Sequence, residues 1–477
     1  MSTRRRFLEC SGLGFGALAA NWMLLHDKLG AAPRANPLSP KKPPLPATAK
    51  SVIFLFMHGG PSHIDLFDPK PDLEKLHGAP PPDSFGNVQL QFSTFKKQPI
   101  LASRRKFAKY GASGADISDV FPHLAQRADD LAVIRSFHHD GFTHTAALNL
   151  LNNGFPRLGR PSLGSWVVYG LGSESSNLPA FVVMLEGGIK SGPVVYQSGF
   201  LPAMYQGTPL RQGPSPILNL KPPEGATGED QKAFLDLLQW NNEQHLARRA
   251  DDTSLEARIA AYELAFKMQM AAPEVADLAK ESEATRRLYG MDEARTADFG
   301  TRCLLARRLV ERGVRFIQIW SGSAGGSGDW DGHASCDSNH VKMAGRTDKP
   351  IAGLIADLKA RGLLDSTLIV WGGEFGRTPT SDGSANGGGD TMGRDHNPYG
   401  FTMWLAGGGV KGGKLIGRTD EIGLRVVEEP YHIHDLHASM LTLLGLDHTK
   451  LTYFFQGRDY RPTDVGGQND FSRRLRS

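Results

Sequence analysis

The sequence has little cysteine: Cys10, Cys303 and Cys336 are the only three among 477 residues. Exported proteins that depend on disulfides for stability carry far more cysteines for their length, so this count excludes a disulfide-built scaffold. Neither Cys303 nor Cys336 lies in the close spacing typical of zinc sites. At most one bridge between them is available, so the core has to come from the burial of apolar side chains.

The chain also lacks a strong excess of charge, with 54 Lys and Arg against 50 Asp and Glu and a formal net charge of +4. The first 35 residues carry five basic and two acidic side chains, so a chain without them has a net charge of +1. A nearly neutral surface gives no electrostatic basis for binding nucleic acid or an anionic membrane. The sequence contains no internal repeat and no glycine-rich nucleotide loop at a strand-to-helix turn.

Long hydrophobic runs are absent as well, and the apolar stretch at residues 11–25 is interrupted by Asn21. A membrane-spanning helix needs about 20 apolar residues, so this stretch does not predict a stable membrane anchor. It follows Arg4-Arg5-Arg6-Phe7-Leu8, a twin-arginine pattern. Glu9 before Cys10 does not resemble the small residue that precedes a lipid-modified cysteine. Residues 1–35 are therefore predicted to be a twin-arginine signal peptide, with the twin-arginine export machinery as partner and a periplasmic or secreted mature protein.

The composition suits one large folded unit, since 40% of the 477 residues are hydrophobic. Residues 36–50 are rich in proline and lysine and predict a linker. Residues 51–465 predict one α/β domain and residues 466–477 a tail. The continuous apolar run at residues 51–57 is typical of a central parallel strand covered on both faces. Helical spacing of apolar residues between about 229 and 311 predicts a helical insertion.

Carboxylates and histidines cluster beside several predicted strands. The clusters are Asp329-Trp-Asp331-Gly-His333, Trp371-Gly-Gly-Glu374, Arg394-Asp395-His396 and the turn His58-Gly-Gly-Pro-Ser-His-Ile-Asp65. In an open parallel sheet, ligands and metals bind where strands end, so clusters far apart in sequence can converge on one site. A turn can also expose its histidines without any function, but the position of His58 directly after the first strand favours a functional role.

A segment with two hydroxyls, Thr143-His144-Thr145, leads into a predicted helix. A hydroxyl in the first turn of a helix lies in the positive field of the helix dipole, which stabilises an attacking oxyanion. Thr143 and Thr145 are therefore candidate nucleophiles, although each could simply cap the helix. His144 is a candidate base.

Six long strings together resemble the domain-of-unknown-function 1501 family, which has no settled activity. They are Phe54 to Pro71, Arg160-Pro-Ser-Leu-Gly-Ser-Trp166, Trp330-Asp-Gly-His333, Trp371-Gly-Gly-Glu-Phe-Gly-Arg-Thr-Pro379, Gly393-Arg-Asp-His-Asn-Pro398 and His434-Asp-Leu-His-Ala-Ser-Met-Leu-Thr-Leu-Leu-Gly445. The family resembles the alkaline-phosphatase-like superfamily, which also holds sulfatases and phosphoglycerate mutases. The resemblance implies an α/β fold with a mostly parallel central sheet flanked by helices.

The resemblance also implies a site with one or two divalent cations, zinc, manganese or calcium, held by aspartate and histidine. The implied ligands are Asp331, His333, Glu374 and His396, with His58, Asp65 and Asp395 nearby. Arg377 and Arg394 are implied to make charge-assisted contacts with an oxyanion. Either Thr143 or Thr145 would attack the substrate, or a water activated by the metal would do so with His144 as base; the sequence leaves these alternatives open.

The sequence departs from the superfamily pattern at three places. His58 stands where the relatives have an aspartate, and Gly373-Glu374 replaces an aspartate–histidine pair, which removes one nitrogen ligand from a two-metal site. Phe142-Thr-His-Thr145 replaces the Cys/Ser-x-Pro-x-Arg pattern of sulfatases. The last departure predicts that the protein is not a conventional formylglycine sulfatase.

Two functions fit these residues. The first is an exported metal-dependent hydrolase of phosphate or related esters, acting on a small-molecule or glycan ester. The second is a non-catalytic relative that uses the cleft to bind a glycan or another exported protein. Convergence of the candidate ligands beside an accessible hydroxyl would favour the first, and mutually paired histidines and carboxylates would favour the second.

Overall fold

The computed structural model describes residues 36–86, 88–90, 94–211, 236–238, 240–242, 274–324, 328–382 and 391–477. The predicted signal peptide lies outside the described residues, as does most of the first half of the predicted helical insertion. Within the described ranges, no helix is both long enough and apolar enough to cross a membrane.

The strands and α-helices of the described chain are named here in chain order. The strands are β1 Ser51–Met57, β2 Phe107–Tyr110, β3 Ala115–Ser118, β4 Leu131–His138, β5 Phe181–Met184, β6 Thr208–Leu210, β7 Phe316–Ser321, β8 Thr367–Gly372, β9 Gly376–Ser381, β10 Arg394–Asn397, β11 Phe401–Ala406, β12 Lys414–Ile416, β13 Arg418–Thr419, β14 Val426–Glu428, β15 Tyr431–His432, β16 Tyr453–Phe455 and β17 Arg458–Tyr460. The α-helices are α1 His63–Leu66, α2 Asp72–Leu76, α3 His144–Asn153, α4 Leu163–Leu171, α5 Glu283–Leu288, α6 Ala297–Glu311, α7 Cys336–Ala360, α8 Ile433–Leu443 and α9 Ser472–Arg476.

A nine-stranded sheet forms the centre of the described chain, in the order β12-β4-β11-β8-β1-β7-β5-β6 with β15 also beside β4. Strand β11 runs antiparallel to its neighbours β4 and β8, and the other pairings in this sheet are parallel. The prediction of a mostly parallel central sheet flanked by helices is therefore confirmed. Strands β9 and β10 pair with each other outside this sheet.

Strand β1 lies in the middle of the sheet because both of its faces are apolar. All seven of its residues are buried. Ile53, Leu55 and Met57 pack into the core that includes α6 and α7. Phe54 and Phe56 pack into the core that includes α3, α4 and α8. From Val52 to Met57 the strand is apolar on both faces, so it is stable only where a helical layer covers each face.

The two ends of the described chain are packed onto this fold. Residues 36–50 contain no helix or strand, but the backbone N–H groups of Lys41 and Leu45 donate to the carbonyls of Leu171 and Gly445, at 2.8 and 2.9 Å. In the predicted tail, Phe471 and Leu475 are buried in the core. The last part of the predicted insertion, α6, packs against α7 in the main core and so belongs to the helical layer.

The buried histidines predict that the protein loses stability in mild acid. Burial lowers the pKa of His63 and His340 to about 4 and that of His437 to about 3. The unfolded chain binds these protons below its ordinary histidine pKa of about 6.5, so each group reduces stability by up to about 1.4 kcal/mol per pH unit as pH falls from 6.5 to 4. In chelator, the urea midpoint should be lower at pH 5 than at pH 7.5. His437→Gln should reduce the difference between the urea midpoints at pH 5 and pH 7.5. Equal midpoints of the wild-type protein at the two pH values would contradict the prediction.

Candidate metal centre

Four of the predicted site residues come together at the carboxyl ends of the parallel strands. His58 directly follows β1, Asp331 and His333 lie in the chain after β7, and Glu374 follows β8. The adjacent positions of these strands in the sheet explain the convergence, since their carboxyl ends share one edge.

Two further histidines reach the same place, one from the same edge of the central sheet, after β4, and one from outside that sheet. His144 is the first residue of α3, which begins a few residues after the end of β4. His396 lies within β10, opposite Arg377 of β9. The sequence cluster Arg394-Asp395-His396 is therefore part of a short buried strand in a separate two-stranded sheet, and it does not lie at the edge of the central sheet.

The four residues His144, Asp331, His333 and His396 offer ligand atoms that all lie within 4.8 Å of one another. Asp331 is the common partner. Its Oδ2 is 3.0 Å from His144 Nε2, and its Oδ1 is 3.1 Å from His333 Nε2 and 3.4 Å from His396 Nε2. Three imidazole Nε2 atoms thus face one carboxylate.

Each of the three histidines is fixed by a hydrogen bond from its other ring nitrogen. His144 Nδ1 donates to Glu374 Oε1 at 2.7 Å, and His333 Nδ1 donates to Asp382 Oδ2 at 2.5 Å. His396 Nδ1 donates to the carbonyl of Phe142 at 2.9 Å. These acceptors place the ring proton on Nδ1 and leave the Nε2 lone pair for a ligand, which is the arrangement found around metal-binding histidines.

The donor set fits a divalent cation on chemical grounds. His333 Nε2 and His396 Nε2 are 2.9 Å apart, so two lone pairs face each other when both Nδ1 atoms carry the ring protons. A cation between them relieves that contact. Three nitrogens and one carboxylate suit zinc or manganese, whereas calcium favours six to eight oxygen ligands.

The charges around Asp331 keep it ionised. Burial opposes the charge, but the Arg377 guanidinium, which donates to Asp331 Oδ1 at 2.6 Å, outweighs burial, and together with the neighbouring imidazoles it holds the pKa of Asp331 far below its usual range. Burial lowers the pKa of His396 to about 3. Burial also opposes protonation of His144, but the neighbouring carboxylates of Asp331 and Glu374 outweigh burial and raise its pKa.

Glu374 contacts His144 on the side of the ring that faces away from Asp331, so it lies outside the group of four candidate ligands. It is fully buried, and besides His144 it accepts the backbone N–H of Gly59 at 2.9 Å. Burial opposes its charge, yet the hydrogen bond from His144 lowers the pKa of Glu374 to about 2. The sequence implied a ligand here; in the described geometry the carboxylate orients the His144 ring.

A second, overlapping group consists of His333, Asp382 and Asp395, whose ligand atoms also lie within 4.8 Å of one another. Asp395 is fully buried, and its Oδ1 accepts its neighbour's N–H, that of His396, at 2.7 Å. Asp382 was not singled out in the sequence. The feature that could have identified Asp382 is its position just after β9, beside the glycine-rich segment that begins at residue 383.

The other predicted residues take different positions. His58 is fully buried with Nδ1 4.0 Å from Asp329 Oδ2, and it belongs to neither ligand group. Asp65 and Arg394 pair with each other, with Arg394 Nε 2.9 Å from Asp65 Oδ2. The Arg377 guanidinium is buried and also donates to the carbonyls of Gly59 and Gly60.

The two hydroxyls beside His144 are exposed. Thr143 is the N-cap of α3, and its side chain accepts the N–H of Ala146 at 3.5 Å. Thr145, in the first turn of α3, is also exposed.

Sequence reasoning missed Lys190, whose Nζ lies 2.5 Å from Asp331 Oδ2 and 3.2 Å from Asp329 Oδ2. The feature of the sequence that could have identified Lys190 is its position shortly after β5, a strand that lies parallel to β7 and beside it.

The fold and the site together define an α/β protein whose strand ends support a centre of three histidines and carboxylates. The chain belongs to the family described as "Protein of unknown function (DUF1501)", whose sequence profile matches residues 49–470. The family predicted from the sequence strings is therefore confirmed. No curated protein matches the sequence.

Several solved structures are similar to this one at low sequence identity. They include the PsFucS1 sulfatase from Pseudoalteromonas sp., at 11% identity over 94% of this chain and 75% of that chain, with a TM-score of 0.36. The alkaline phosphatase from the Antarctic bacterium TAB5 is 11% identical over 84% of this chain and 99% of that chain, with a TM-score of 0.35. The phosphonate monoester hydrolase SpPMH from Silicibacter pomeroyi is 14% identical over 68% of both chains, with a TM-score of 0.31. Similarity at this level leaves the reaction of this chain open.

Proposed function

We propose that the chain is an exported metal-dependent hydrolase of phosphate or related esters. The observation that carries the proposal is the convergence of His144, His333 and His396 on Asp331, each imidazole held by an acceptor behind it. Three imidazole rings that are each oriented by an acceptor and direct their lone pairs to one point are typical of a metal site and are not required for packing alone. The twin-arginine pattern at residues 4–6 supports export, because that pathway carries folded proteins that already hold a cofactor.

The ligand set consists of His144, Asp331, His333 and His396, with Glu374 and Asp382 orienting two of the rings. A bound divalent cation would polarise the ester group and neutralise the charge that develops on its oxygens. Phe375 stacks on the His396 ring at 4.1 Å between ring centroids and covers one side of the centre. That apolar cover lowers the local dielectric and strengthens the interaction of the site with a charged substrate.

The structure constrains the choice of nucleophile and base. Both ring nitrogens of His144 have carboxylate partners, Glu374 at Nδ1 and Asp331 at Nε2. We therefore assign His144 to the ligand set and not to the role of base. Thr143 and Thr145 flank this ligand with exposed hydroxyls, which keeps both as candidate nucleophiles beside an activated water. Arg377 and Arg394 are buried and paired, so we assign them to positioning Asp331 and Asp65.

A non-catalytic role is the second candidate, and a specific observation favours it. Histidines and carboxylates of the site pair with one another, as in His144 with Glu374 and His333 with Asp382. Such pairing would also stabilise a cleft that binds a glycan or another exported protein without turnover. The exposed threonines beside the converging ligands support the hydrolase.

Metal content and ester hydrolysis of the exported protein separate these functions. Protein purified without chelator would be analysed by plasma mass spectrometry and assayed on panels of phosphate and sulfate esters, beside Thr143→Val and Thr145→Val. Near-stoichiometric metal with hydrolysis that chelator abolishes supports the proposal, and loss of hydrolysis in one threonine variant identifies the nucleophile. Metal without hydrolysis supports the binding protein. No metal, even after reloading with zinc, manganese or calcium, contradicts the proposed mechanism.

A further inference from the structure

Lys190 reaches the ligand cluster from a loop that follows β5. Its Nζ is 2.5 Å from Asp331 Oδ2, 2.9 Å from His144 Nε2 and 3.2 Å from Asp329 Oδ2. The loop contains Gly187, Gly188 and Gly192, and Gly192 has a φ of 69°. The ammonium group is therefore held by three site residues on a segment whose backbone has few side-chain constraints.

Two of these three partners belong to residues that the proposed function assigns to a divalent cation, Asp331 and His144. The single lone pair of His144 Nε2 cannot serve an ammonium and a metal ion together, and an ammonium that stayed on Asp331 would lie within a few ångströms of the metal, where the two positive charges repel each other. Binding of the metal must therefore break the contacts of Lys190 with Asp331 and His144. The contact with Asp329 Oδ2 uses an atom outside both ligand groups and can persist.

Lys190 differs from the other basic side chains of the site in being partly exposed. The Arg377 side chain has no exposed surface, and that of Arg394 is 1% exposed. The Lys190 side chain is 23% exposed, so its outer end borders solvent. Of these three cations, Lys190 is therefore the one that a molecule arriving from solvent can reach.

We propose that Lys190 exchanges partners at this centre: its ammonium holds Asp331 and His144 when no metal is bound, and it binds an anionic oxygen of the substrate once a metal takes those two ligands. This inference rests on the proposed function. It also narrows the substrate class to esters that keep a negative charge, such as phosphate or sulfate monoesters, and disfavours neutral carboxylic esters. Loss of one charge-assisted hydrogen bond of this kind weakens binding about tenfold or more.

The metal part of the exchange is tested by calorimetric titration of metal-stripped protein with Zn²⁺ and Mn²⁺. Removing the competing ammonium in Lys190→Met should tighten metal binding about tenfold, from the loss of one charge-assisted interaction. Lys190→Arg keeps the positive charge and should bind metal as the wild type does. Lys349→Met is the matched control, since Lys349 has 22% side-chain exposure and pairs with two carboxylates, Asp292 and Glu293, away from the site.

The anion part is tested by titrating the metal-loaded proteins with inorganic phosphate and with sulfate. Lys190→Met should bind these anions about tenfold more weakly, whereas Lys190→Arg and Lys349→Met should stay close to the wild type. Circular dichroism confirms that each variant is folded, and Lys190→Gln replaces Lys190→Met if it is not.

The outcomes separate this inference from the proposed function. Metal binding by Lys190→Met that is equal to or weaker than that of the wild type overturns the exchange, even if the wild type is a metalloenzyme. Unchanged anion affinity overturns the substrate contact. Metal binding by Lys190→Met alone supports the exchange, and failure of both proteins to bind metal overturns the exchange and the proposed function together.

Discussion

Asp331→Ala protein, purified without chelator, is expected to carry no stoichiometric divalent cation. Asp331 is the one carboxylate that all three imidazole Nε2 atoms face. Its removal takes away the only negatively charged ligand of the set and leaves the Arg377 guanidinium without its anionic partner. Both changes act in the same direction, because an uncompensated positive charge beside three histidines repels a cation.

Plasma mass spectrometry of wild-type and variant proteins, prepared in parallel, measures this prediction. Glu374→Gln serves as a graded comparison: it keeps the shape of the side chain but weakens the acceptor of His144 Nδ1, and it should reduce metal affinity about 10- to 100-fold. Asp337→Ala is the control, since Asp337 also pairs with an arginine, Arg105, but lies outside both ligand groups. Stoichiometric metal in Asp331→Ala would show that the ion binds elsewhere.

Arg394→Met is expected to destabilise the protein by about 3–5 kcal/mol, the usual cost of leaving one partner of a buried ion pair alone. Arg394 and Asp65 are both buried, and Arg394 Nη1 also donates to the carbonyl of Thr378 at 3.0 Å. Burial opposes the charge of Asp65, but the arginine holds the pKa of Asp65 at about 2. Without the arginine, the carboxylate has to stay charged in an apolar setting or take up a proton.

Urea unfolding in the presence of chelator measures this change without a contribution from bound metal. The double variant Arg394→Met with Asp65→Asn should recover part of the loss, because no unpaired charge is then buried. Arg418→Met is the control: Arg418 pairs with Glu428 on the surface, with side chains 49% and 57% exposed, and its removal should cost about 0–1 kcal/mol. Equal losses for Arg394→Met and Arg418→Met would contradict a structural role for the buried pair.

The parts of the fold that follow from local pattern were predictable from the sequence. Strand β1 is a run of seven buried residues, and its continuous apolar character indicated a central strand. The carboxylates and histidines after β7 and β8 were found because parallel strand ends are where sites form. These predictions needed only the neighbours of each residue along the chain.

The roles of individual side chains were not predictable, because they depend on pairs that are distant in sequence. The sequence made Glu374 a candidate ligand and His144 a candidate base, whereas in the structure His144 Nε2 faces Asp331 and Glu374 lies behind the ring, against Nδ1. Arg394 looked like a contact for an oxyanion, and its pairing with Asp65, 329 positions earlier, is invisible to local reasoning. Lys190 was missed because a lone lysine in a glycine-containing loop carries no distinctive pattern.

The register of β1 has a consequence for how the chain folds as it is synthesised. Val52 pairs with Phe316 on one side and with Leu368 on the other, so both partners of the central strand are made several hundred residues after it. Until then, two apolar faces of an early strand remain without their layers, which favours slow folding and aggregation. The nascent chain therefore exposes its first strand until both partner strands have been made, and the candidate ligands that follow β7 and β8 cannot come together with His58 before then.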